Sequence, residues 1–228
     1  KQKAAPAPAA APSPSAPLIE PMDSWSQTGP QGGSNPGGRF KDAAGQEWYC
    51  KFPADEDTAK AEVLAAKLYA ALGISGQDAK LVTKGGKVVI ASKWTTVSKA
   101  SSPAALAKVE GVASGFGADA WLGNWDVVGL AYDNLQIGAD GKAHRVDAGG
   151  SLMYRAQGGK KAFGNTVIEI DSLRDPKINP QAAKVFGGMT EADITASVAK
   201  FLALSDSQIN TLVMMYGPGD DAAKKALA

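Results

Sequence analysis

The spacing of apolar residues divides the chain into a strand-rich first part and a mainly helical second part. Between Trp25 and about Val97, short apolar runs predict strands around one helix. The first two runs, Arg39–Lys41 and Trp48–Phe52, flank a turn-forming Asp-Ala-Ala-Gly segment and indicate a hairpin.

An amphipathic helix is predicted over Asp57–Leu72, because its apolar residues recur at three- and four-residue spacings and a glycine follows as a stop. Two more strands, Lys80–Thr83 and Lys87–Ser92, form a second hairpin across a Gly-Gly pair. The predicted order of this part is therefore β-β-α-β-β.

Helical patterns dominate the rest of the chain. Ser102 and Pro103 predict the start of a helix, whose apolar positions continue from Leu106 to Ala120. Two short strands, Leu135–Ile137 and Ala143–Val146, interrupt the helical part as a hairpin turned at an Asp-Gly pair.

Two helices near the end of the chain are predicted to begin at capping boxes, at Thr190 and Ser205. The pattern favours an α+β fold of two lobes, a small β-rich lobe with one helix and a larger, mainly helical lobe. We expect residues 1–24 to form a disordered linker rich in Ala and Pro, 25–97 the first lobe, and 98–228 the second.

Composition narrows the class of protein only slightly. Hydrophobic residues make up 44% and charged residues 21% of the 228 residues, as in ordinary globular proteins. The net charge of +1 gives no reason to expect a nucleic-acid partner, and no apolar run is long enough for a membrane span. A single cysteine, Cys50, excludes an internal disulfide framework within this sequence. Because the sequence begins with Lys1 rather than Met, we expect it to be a piece of a longer polypeptide.

Five glycines lie within the ten residues Gly29–Gly38, directly before a predicted strand. Such a segment can bring backbone N–H groups against phosphate oxygens, or it can be a flexible loop. It matches neither a Walker loop nor a dinucleotide-binding fingerprint. The candidate phosphate-binding residues are Gly32, Gly33, Ser34, Asn35 and Gly37.

Lys51 lies in an otherwise apolar and aromatic strand, where an ammonium group needs an anionic partner. Glu62 lies on the following helix, at the edge of its apolar face, from which it could reach back to that strand. A paired lysine of this kind can bind nucleotide phosphates. The alternative is a lysine that extends to solvent and a solvated glutamate.

Asp126 and Asn134 flank a loop, and Asp147 ends the strand that follows the short hairpin. Oxygen ligands in this order can surround Mg²⁺, and the first carboxylate can orient a nucleophile. The alternative role of each of these residues is turn capping.

These residues together resemble the protein-kinase-like superfamily, near the HipA-type toxin kinases and the phosphoinositide kinases. The similarity covers roughly Trp25 to Gly219. It also extends to a kinase-like module of phage and prophage proteins that accompanies structural or head-morphogenesis segments. The stretches that carry the resemblance are GGSNPGGRF, WYCKFP, LGNWDVVGLAYDN, RVDAGGSLMYRAQGG and LRDPKINPQAA.

The resemblance implies ATP and Mg²⁺ as cofactors and assigns roles to the residues above. Lys51 would bind phosphate with Glu62 as its partner, and Asp126 would be the catalytic base. The implied metal ligands are Asn134 and Asp147.

Further implied positions lie beside the adenine and the metal. The segment from Ile90 to Trp94 would join the lobes, which makes Ser92 and Lys93 candidate nucleotide-binding residues. The loop departs from the usual pattern, because its Asn follows the Asp by eight residues instead of about five. Asp133 could therefore share the metal role.

Two functions of different classes follow. The first is a Mg²⁺- and ATP-dependent phosphotransferase with an unknown acceptor, for which a protein hydroxyl is favoured. The second is a non-catalytic kinase-fold module in a phage virion or its assembly, with other phage structural proteins as partners. These imply a location in the bacterial cytoplasm or on the virion. A basic, glycine-rich segment with Arg155 and Lys161 either faces a substrate or is a solvated loop.

Overall fold

A computed structural model describes residues 18–33 and 35–228, and these form a β-sheet part followed by a mainly helical part. The strands of this region are β1 (Glu20–Pro21), β2 (Ser26–Gly29), β3 (Gly37–Lys41), β4 (Glu47–Lys51), β5 (Ala79–Lys84), β6 (Lys87–Lys93), β7 (Val97–Ser98), β8 (Leu135–Gly138) and β9 (Ala143–Arg145). Its helices are α1 (Glu56–Ala71), α2 (Pro103–Leu106), α3 (Val112–Trp121), α4 (Glu169–Ser172), α5 (Pro180–Phe186), α6 (Glu191–Phe201), α7 (Asp206–Tyr216) and α8 (Asp221–Leu227). The predicted α+β class is confirmed.

The first part is built on a six-stranded sheet in the order β1-β5-β6-β4-β3-β2. Side chains alternate across β4, so Cys50 and Lys51 point to opposite faces. Cys50 packs in an apolar cluster with Phe40, Trp48 and Val82, whereas Lys51 faces α1. This alternation places a buried cation on the face that lines the site.

Helix α1 begins where the carboxylate of Asp55 accepts a hydrogen bond from the Thr58 amide, at 3.0 Å. One set of its apolar residues, which includes Val63, packs against the sheet. Another set, which includes Leu68, packs against the helical part of the chain. The helix therefore joins the two parts, and Glu62 is fixed by packing on both sides.

The end of the predicted linker, residues 18–24, contains a strand of the sheet. Glu20 and Pro21 pair in parallel with Val82 and Thr83 of β5, and Met22 is fully buried. Residues 18–24 are therefore part of the fold. Strand β5, which lies far along the chain, provides the backbone hydrogen-bond partners of β1 and Met22. Residues 1–17 of the predicted linker lie outside the described residues.

The helix predicted to continue from Leu106 to Ala120 is interrupted. Helix α2 ends at Leu106, and Gly111 precedes α3 with a φ of 93°, in the left-handed region that glycine tolerates best. Below it, α3 packs closely on α6, where a side chain at Gly117 would collide with the carbonyl oxygen of Ser197. Within the described residues, no helix combines the length and apolar character needed to cross a membrane.

Candidate functional site

The ammonium group of Lys51 lies between two carboxylates at the inner face of the sheet. Its Nζ is 2.7 Å from Glu62 Oε1 and 2.7 Å from Asp147 Oδ2. The side chains of Lys51 and Glu62 are almost fully buried, whereas that of Asp147 is 34% exposed. We call these three residues the cleft cluster. The structure thus contains the ion pair between Lys51 of β4 and Glu62 of α1, which was one of the two alternatives for these residues in the sequence.

Within the cleft cluster, Lys51 and Asp147 stabilise each other's charged form. Burial lowers the pKa of Lys51, but the carboxylates of Asp147 and Glu62 outweigh burial and hold this pKa above its ordinary range. Burial raises the pKa of Asp147, and the Lys51 ammonium more than reverses this effect, so the pKa lies below its ordinary value. Lys51 and Asp147 are therefore charged at neutral pH.

Glu62 is more deeply buried than Asp147, and its pKa is shifted in the opposite direction. Burial raises its pKa above the ordinary value, the charge of Lys51 opposes this shift, and the charge of Asp147 adds to it. Gly149 packs directly against both carboxylates of the cleft cluster. A Cβ atom at this position would lie 2.9 Å from Glu62 Oε2 and 3.1 Å from Asp147 Oδ1. The backbone N–H of Gly149 also donates to Asp147 Oδ1 at 2.8 Å.

Asp126 and Asn134 meet although eight residues separate them. The amide nitrogen of Asn134 donates to the backbone oxygen of Asp126 at 2.8 Å and to its carboxylate Oδ2 at 3.0 Å. The pKa of Asp126 is raised, first by burial and then by the charge of Asp147, while the Asn134 hydrogen bond opposes the rise. A raised carboxylate pKa suits a group that accepts a proton near neutral pH.

The two candidate metal ligands lie on neighbouring segments. The backbone oxygen of Asn134 accepts a hydrogen bond from the amide of Val146 at 2.9 Å, which brings Asn134 beside the strand end that carries Asp147. Both side-chain hydrogen bonds of Asn134 use its amide nitrogen, and its amide oxygen is the atom that a hard cation would need. A carboxylate and an amide oxygen fit Mg²⁺, which takes few protein ligands and completes its shell with water and phosphate.

Asp133, the third candidate ligand, is exposed and directs its carboxylate to the loop backbone. A Cβ atom at Gly129 would lie 2.4 Å from Asp133 Oδ1. Its charge raises the pKa of Asp126, but as a weaker contribution than that of Asp147. Among residues 18–33 and 35–228, no group of three or more His, Cys, Asp or Glu side chains has the arrangement of a metal site. A metal role for Asn134 and Asp147 stays a prediction.

The glycine-rich segment forms the connection between β2 and β3. Gly32 donates its backbone N–H to the Tyr49 hydroxyl at 2.8 Å, while a Cβ atom at Gly33 would meet open space. At position 37 only a glycine fits, because a Cβ atom there would lie 2.4 Å from the carbonyl oxygen of Cys50. Asn35 lies in the same connection, and Ser34 lies outside the described residues.

Tyr49 was not singled out in the sequence, although it lies two residues before Lys51 and therefore on the same face of β4. Its position in the strand could have identified it. The hydroxyl group anchors Gly32 of the glycine-rich segment to β4, on the face of the strand that carries Lys51.

Ser92 and Lys93 lie within β6 and not in a segment between the lobes. Strand β6 pairs with β4 on one side and with β5 on the other, which occupies its backbone groups. Ser92 is buried and Lys93 is exposed. The chain leaves the sheet only at Trp94, whose amide donates to the Glu47 carbonyl at 2.9 Å.

Lys161 is fixed in place, in contrast to the open alternatives for its loop. Its ammonium donates to the carbonyl oxygens of Gly123 and, at 2.6 Å, Gly150. Burial lowers its pKa to about 8, with a smaller opposing contribution from Glu169 and a further lowering by Arg155. It thus ties the segment after Asp147 to the loop that carries the candidate base.

Two cavities of the described residues lie away from the cleft cluster. One, of about 160 Å³, is lined by residues such as Ser75, Glu110 and Lys200. The other, of about 150 Å³, is lined by residues such as Lys99, Leu106 and Tyr132. Neither cavity is lined by a residue of the cleft cluster. The candidate site is therefore the group of charged and polar side chains around Lys51.

Neither a protein-family model nor a curated protein matches the sequence. The structure, however, is similar to the crystal structure of CtkA, a proinflammatory kinase of Helicobacter pylori. The TM-score is 0.63 with 15% sequence identity, and the match covers 92% of each chain. The chain has a kinase-like fold.

A second similarity is to the N-terminal 618-residue fragment of LepB from Legionella pneumophila, with a TM-score of 0.40 and 14% identity. It covers 72% of this chain and 35% of that one, and a TM-score at this level does not assign a fold. The kinase-like fold agrees with the coarse part of the sequence resemblance.

Proposed function

We propose that the chain is a Mg²⁺- and ATP-dependent phosphotransferase that acts on a hydroxyl group, with a protein hydroxyl as the favoured acceptor. The observation that carries the proposal is the cleft cluster, in which Lys51 lies 2.7 Å from both Glu62 and Asp147. A buried cation beside a partly exposed carboxylate is what the phosphates and the metal of a nucleotide require. The kinase-like fold supports this assignment.

Each residue has a distinct role in the proposal. Lys51 binds phosphate oxygens and keeps Glu62 as its partner. Asn134 and Asp147 hold Mg²⁺, which when bound neutralises charge on the phosphates. Asp126 accepts the proton of the acceptor hydroxyl. A bond then forms between the acceptor oxygen and the terminal phosphorus, the bond from that phosphorus to the bridging oxygen breaks, and ADP leaves with the electron pair.

Most of the remaining predicted positions keep supporting roles. Gly32, Gly33, Ser34 and Asn35 are proposed to cover the phosphates. Ser92 is proposed to lie beside the base through its side chain, because it pairs with Tyr49 and therefore shares the Lys51 face of the sheet. Lys93 pairs with Trp48, so its side chain points to the opposite face and the proposal gives it no contact with the base.

The alternative is a non-catalytic kinase-fold module in a phage virion or its assembly, found in the bacterial cytoplasm or on the virion. It rests on the sequence resemblance to phage proteins and on the Ala- and Pro-rich segment at the start of the sequence. The pairing of Lys51 with both carboxylates favours the enzyme, because a purely structural module has no need of a partly exposed charge cluster.

The test is a comparison of Asp126→Asn with Asp147→Asn, with binding and turnover measured separately. We expect Asp147→Asn to lose Mg²⁺-dependent ATP binding in calorimetry, since a charge leaves the proposed metal shell. We expect Asp126→Asn to bind Mg·ATP normally but to turn over about 10²-fold more slowly or worse. Autophosphorylation and ATP hydrolysis are the readouts.

Asp140→Asn is the matched control, because Asp140 is exposed in the turn between β8 and β9. It should bind and turn over as the wild type does. Normal binding and turnover in both site variants would refute the phosphotransferase. A wild-type chain that binds Mg·ATP and never transfers phosphate would support the non-catalytic module.

A further inference from the structure

A second polar cluster contains none of the residues of the cleft cluster and is buried away from solvent. Its members are Tyr69, Asp119, Asn124 and Arg145, of which none is more than 2% exposed. We call these four residues the Asp119 network. They belong to none of the roles proposed above, and the sequence patterns did not single them out.

Asp119 is the centre of this network. Arg145 donates to both of its carboxylate oxygens at 2.6 Å, one bond from Nε and one from Nη2. The Tyr69 hydroxyl donates to Asp119 Oδ1 at 2.9 Å, and the Asn124 side-chain amide donates to the Tyr69 oxygen at 3.0 Å. A two-pronged contact between guanidinium and carboxylate fixes orientation as well as distance.

Two members stand at a fixed offset from a residue of the candidate site. Tyr69 follows Glu62 by seven residues on α1, which is about two helical turns and places both on one side of the helix. Asn124 precedes Asp126 by two residues in the loop. A shift of either network member would therefore move its neighbour in the site.

A third member, Arg145, is the last residue of β9 and precedes Asp147 by two residues. Asp119 itself lies on α3, which packs closely on α6 and does not line the cleft cluster. The Asp119 carboxylate thus contacts Tyr69 of α1 and Arg145 of β9, and Tyr69 in turn contacts Asn124 of the loop that carries Asp126.

The network also touches the chain beyond Asp147. A Cβ atom at Gly150 would lie 3.1 Å from Asn124 Oδ1 and 3.1 Å from the Asp126 Cβ atom. The glycine lets the segment after Asp147 lie against both Asn124 and Asp126. The position of the base therefore depends on the same contacts.

Tyr69 and Arg145 of the network keep their protons across neutral pH. Burial raises the pKa of Tyr69 well above its ordinary value, and the Asp119 charge raises it further, so the hydroxyl stays a donor. Burial lowers the pKa of Arg145, and the Asp119 carboxylate more than reverses this effect. The network therefore has a single hydrogen-bond arrangement under working conditions.

We propose that the Asp119 network is a positioning device that sets α1, the Asp126 loop and β9 in the register needed for phosphate transfer, with Tyr69 as the residue that joins α1 to the other two. The effect on turnover rests on the proposed phosphotransferase function. The effect on the three elements does not, and this separates the two proposals experimentally.

The test uses Tyr69→Phe, which removes one oxygen and leaves both the ring and the Asp119–Arg145 pair. Hydrogen–deuterium exchange of the intact chain is the first readout. We expect amide exchange to rise together, by about tenfold, in α1, in 122–126 and in 145–150. The second readout is turnover with Mg·ATP, where we expect kcat to fall at least about tenfold and the KM for ATP to change less than about threefold.

Ser172→Ala is the control, since Ser172 has a buried hydroxyl with no hydrogen-bond partner among the described residues. It should leave both readouts unchanged. Exchange that rises only in α1, or an unchanged kcat in an active enzyme, would overturn the positioning role. If the wild-type chain shows no transfer, the phosphotransferase fails, and the joint rise in exchange still decides the positioning of the three elements.

Discussion

Two charged clusters in this protein use the same chemistry and differ in their access to solvent. In the cleft cluster, Lys51 is paired with carboxylates of which one, Asp147, is 34% exposed. In the Asp119 network, the side chains of Asp119 and Arg145 are 0% and 1% exposed. The two clusters share α1 and the chain around β9, so they lie on the same framework.

The difference in burial matches the two roles that we propose, ligand binding for the cleft cluster and positioning for the Asp119 network. A charge with one open side can exchange part of its pairing for a ligand, because the solvent side admits phosphate or metal. A sealed pair has no such exchange available, and breaking it leaves an uncompensated charge in the interior. The same ion-pair chemistry is suited to ligands in one cluster and to fixed geometry in the other.

The largest effect is expected where the sealed pair is broken. Asp119→Ala leaves the Arg145 guanidinium buried without its counter-charge, and we expect the free energy of unfolding to fall by about 3–5 kcal/mol. Chemical denaturation measures this loss. If the variant does not fold, Asp119→Asn, which keeps the shape and removes the charge, provides the measurement.

Asp78→Ala is the matched control for an exposed pair, since Asp78 contacts Lys67 at 3.0 Å with its side chain 66% exposed. It should cost less than about 1 kcal/mol. Equal losses for the two variants would remove the distinction between sealed and open clusters.

A smaller effect is expected from opening the cleft cluster. Lys51→Ala removes the cation proposed to bind phosphate, and we expect the affinity for Mg·ATP to fall about 10- to 100-fold, the scale of a charge-assisted hydrogen bond. Isothermal titration calorimetry measures it. Lys87→Ala, at the exposed start of β6, should keep wild-type affinity. Unchanged affinity in Lys51→Ala would show that the cleft cluster does not bind nucleotide.

The smallest effect concerns Lys161, which is an intermediate case because the described residues provide it with carbonyl partners but no ion pair. Burial lowers its pKa from the ordinary 10.5 to about 8. Between these values the folded chain binds fewer protons than the unfolded chain, so stability rises with pH from about 8 to 10.5.

In Lys161→Met this rise should be lost, a difference of less than about 1 kcal/mol after solvent screening. Thermal unfolding of both chains at pH 8 and pH 10 provides the comparison. An identical pH dependence in the wild type and the variant would contradict the buried position of the ammonium.

Local patterns predicted the elements that depend on local forces. The helix predicted over Asp57–Leu72 runs from Glu56 to Ala71, and the capping boxes at Thr190 and Ser205 are both present. Apolar periodicity and caps act within a few residues, so they can be read from the sequence. The pairing of β1 with β5 could not, since its partner lies about sixty residues away and the strand has only two residues.

The same distinction holds for the candidate site. The Lys51–Glu62 contact was one of two open alternatives, because a cation in an apolar strand calls for a nearby anion. The Asp119–Arg145 contact spans 26 residues and two elements. Arg145 begins the stretch that contains Asp147, but Asp119 lies in none of the stretches that carry the resemblance, so the resemblance did not indicate that the two residues meet. A charged residue within the apolar run of α3 was the one local sign of it.

The two edge strands of the six-stranded sheet, β1 and β2, are both irregular. Strand β1 has two residues, one of them Pro21, which lacks a backbone N–H group. Strand β2, at the opposite edge, contains a register shift between Gln27 and Gly29. Short, proline-containing and bulged edges are poor templates for strand addition. The fold thus disfavours edge-to-edge aggregation between copies of this chain.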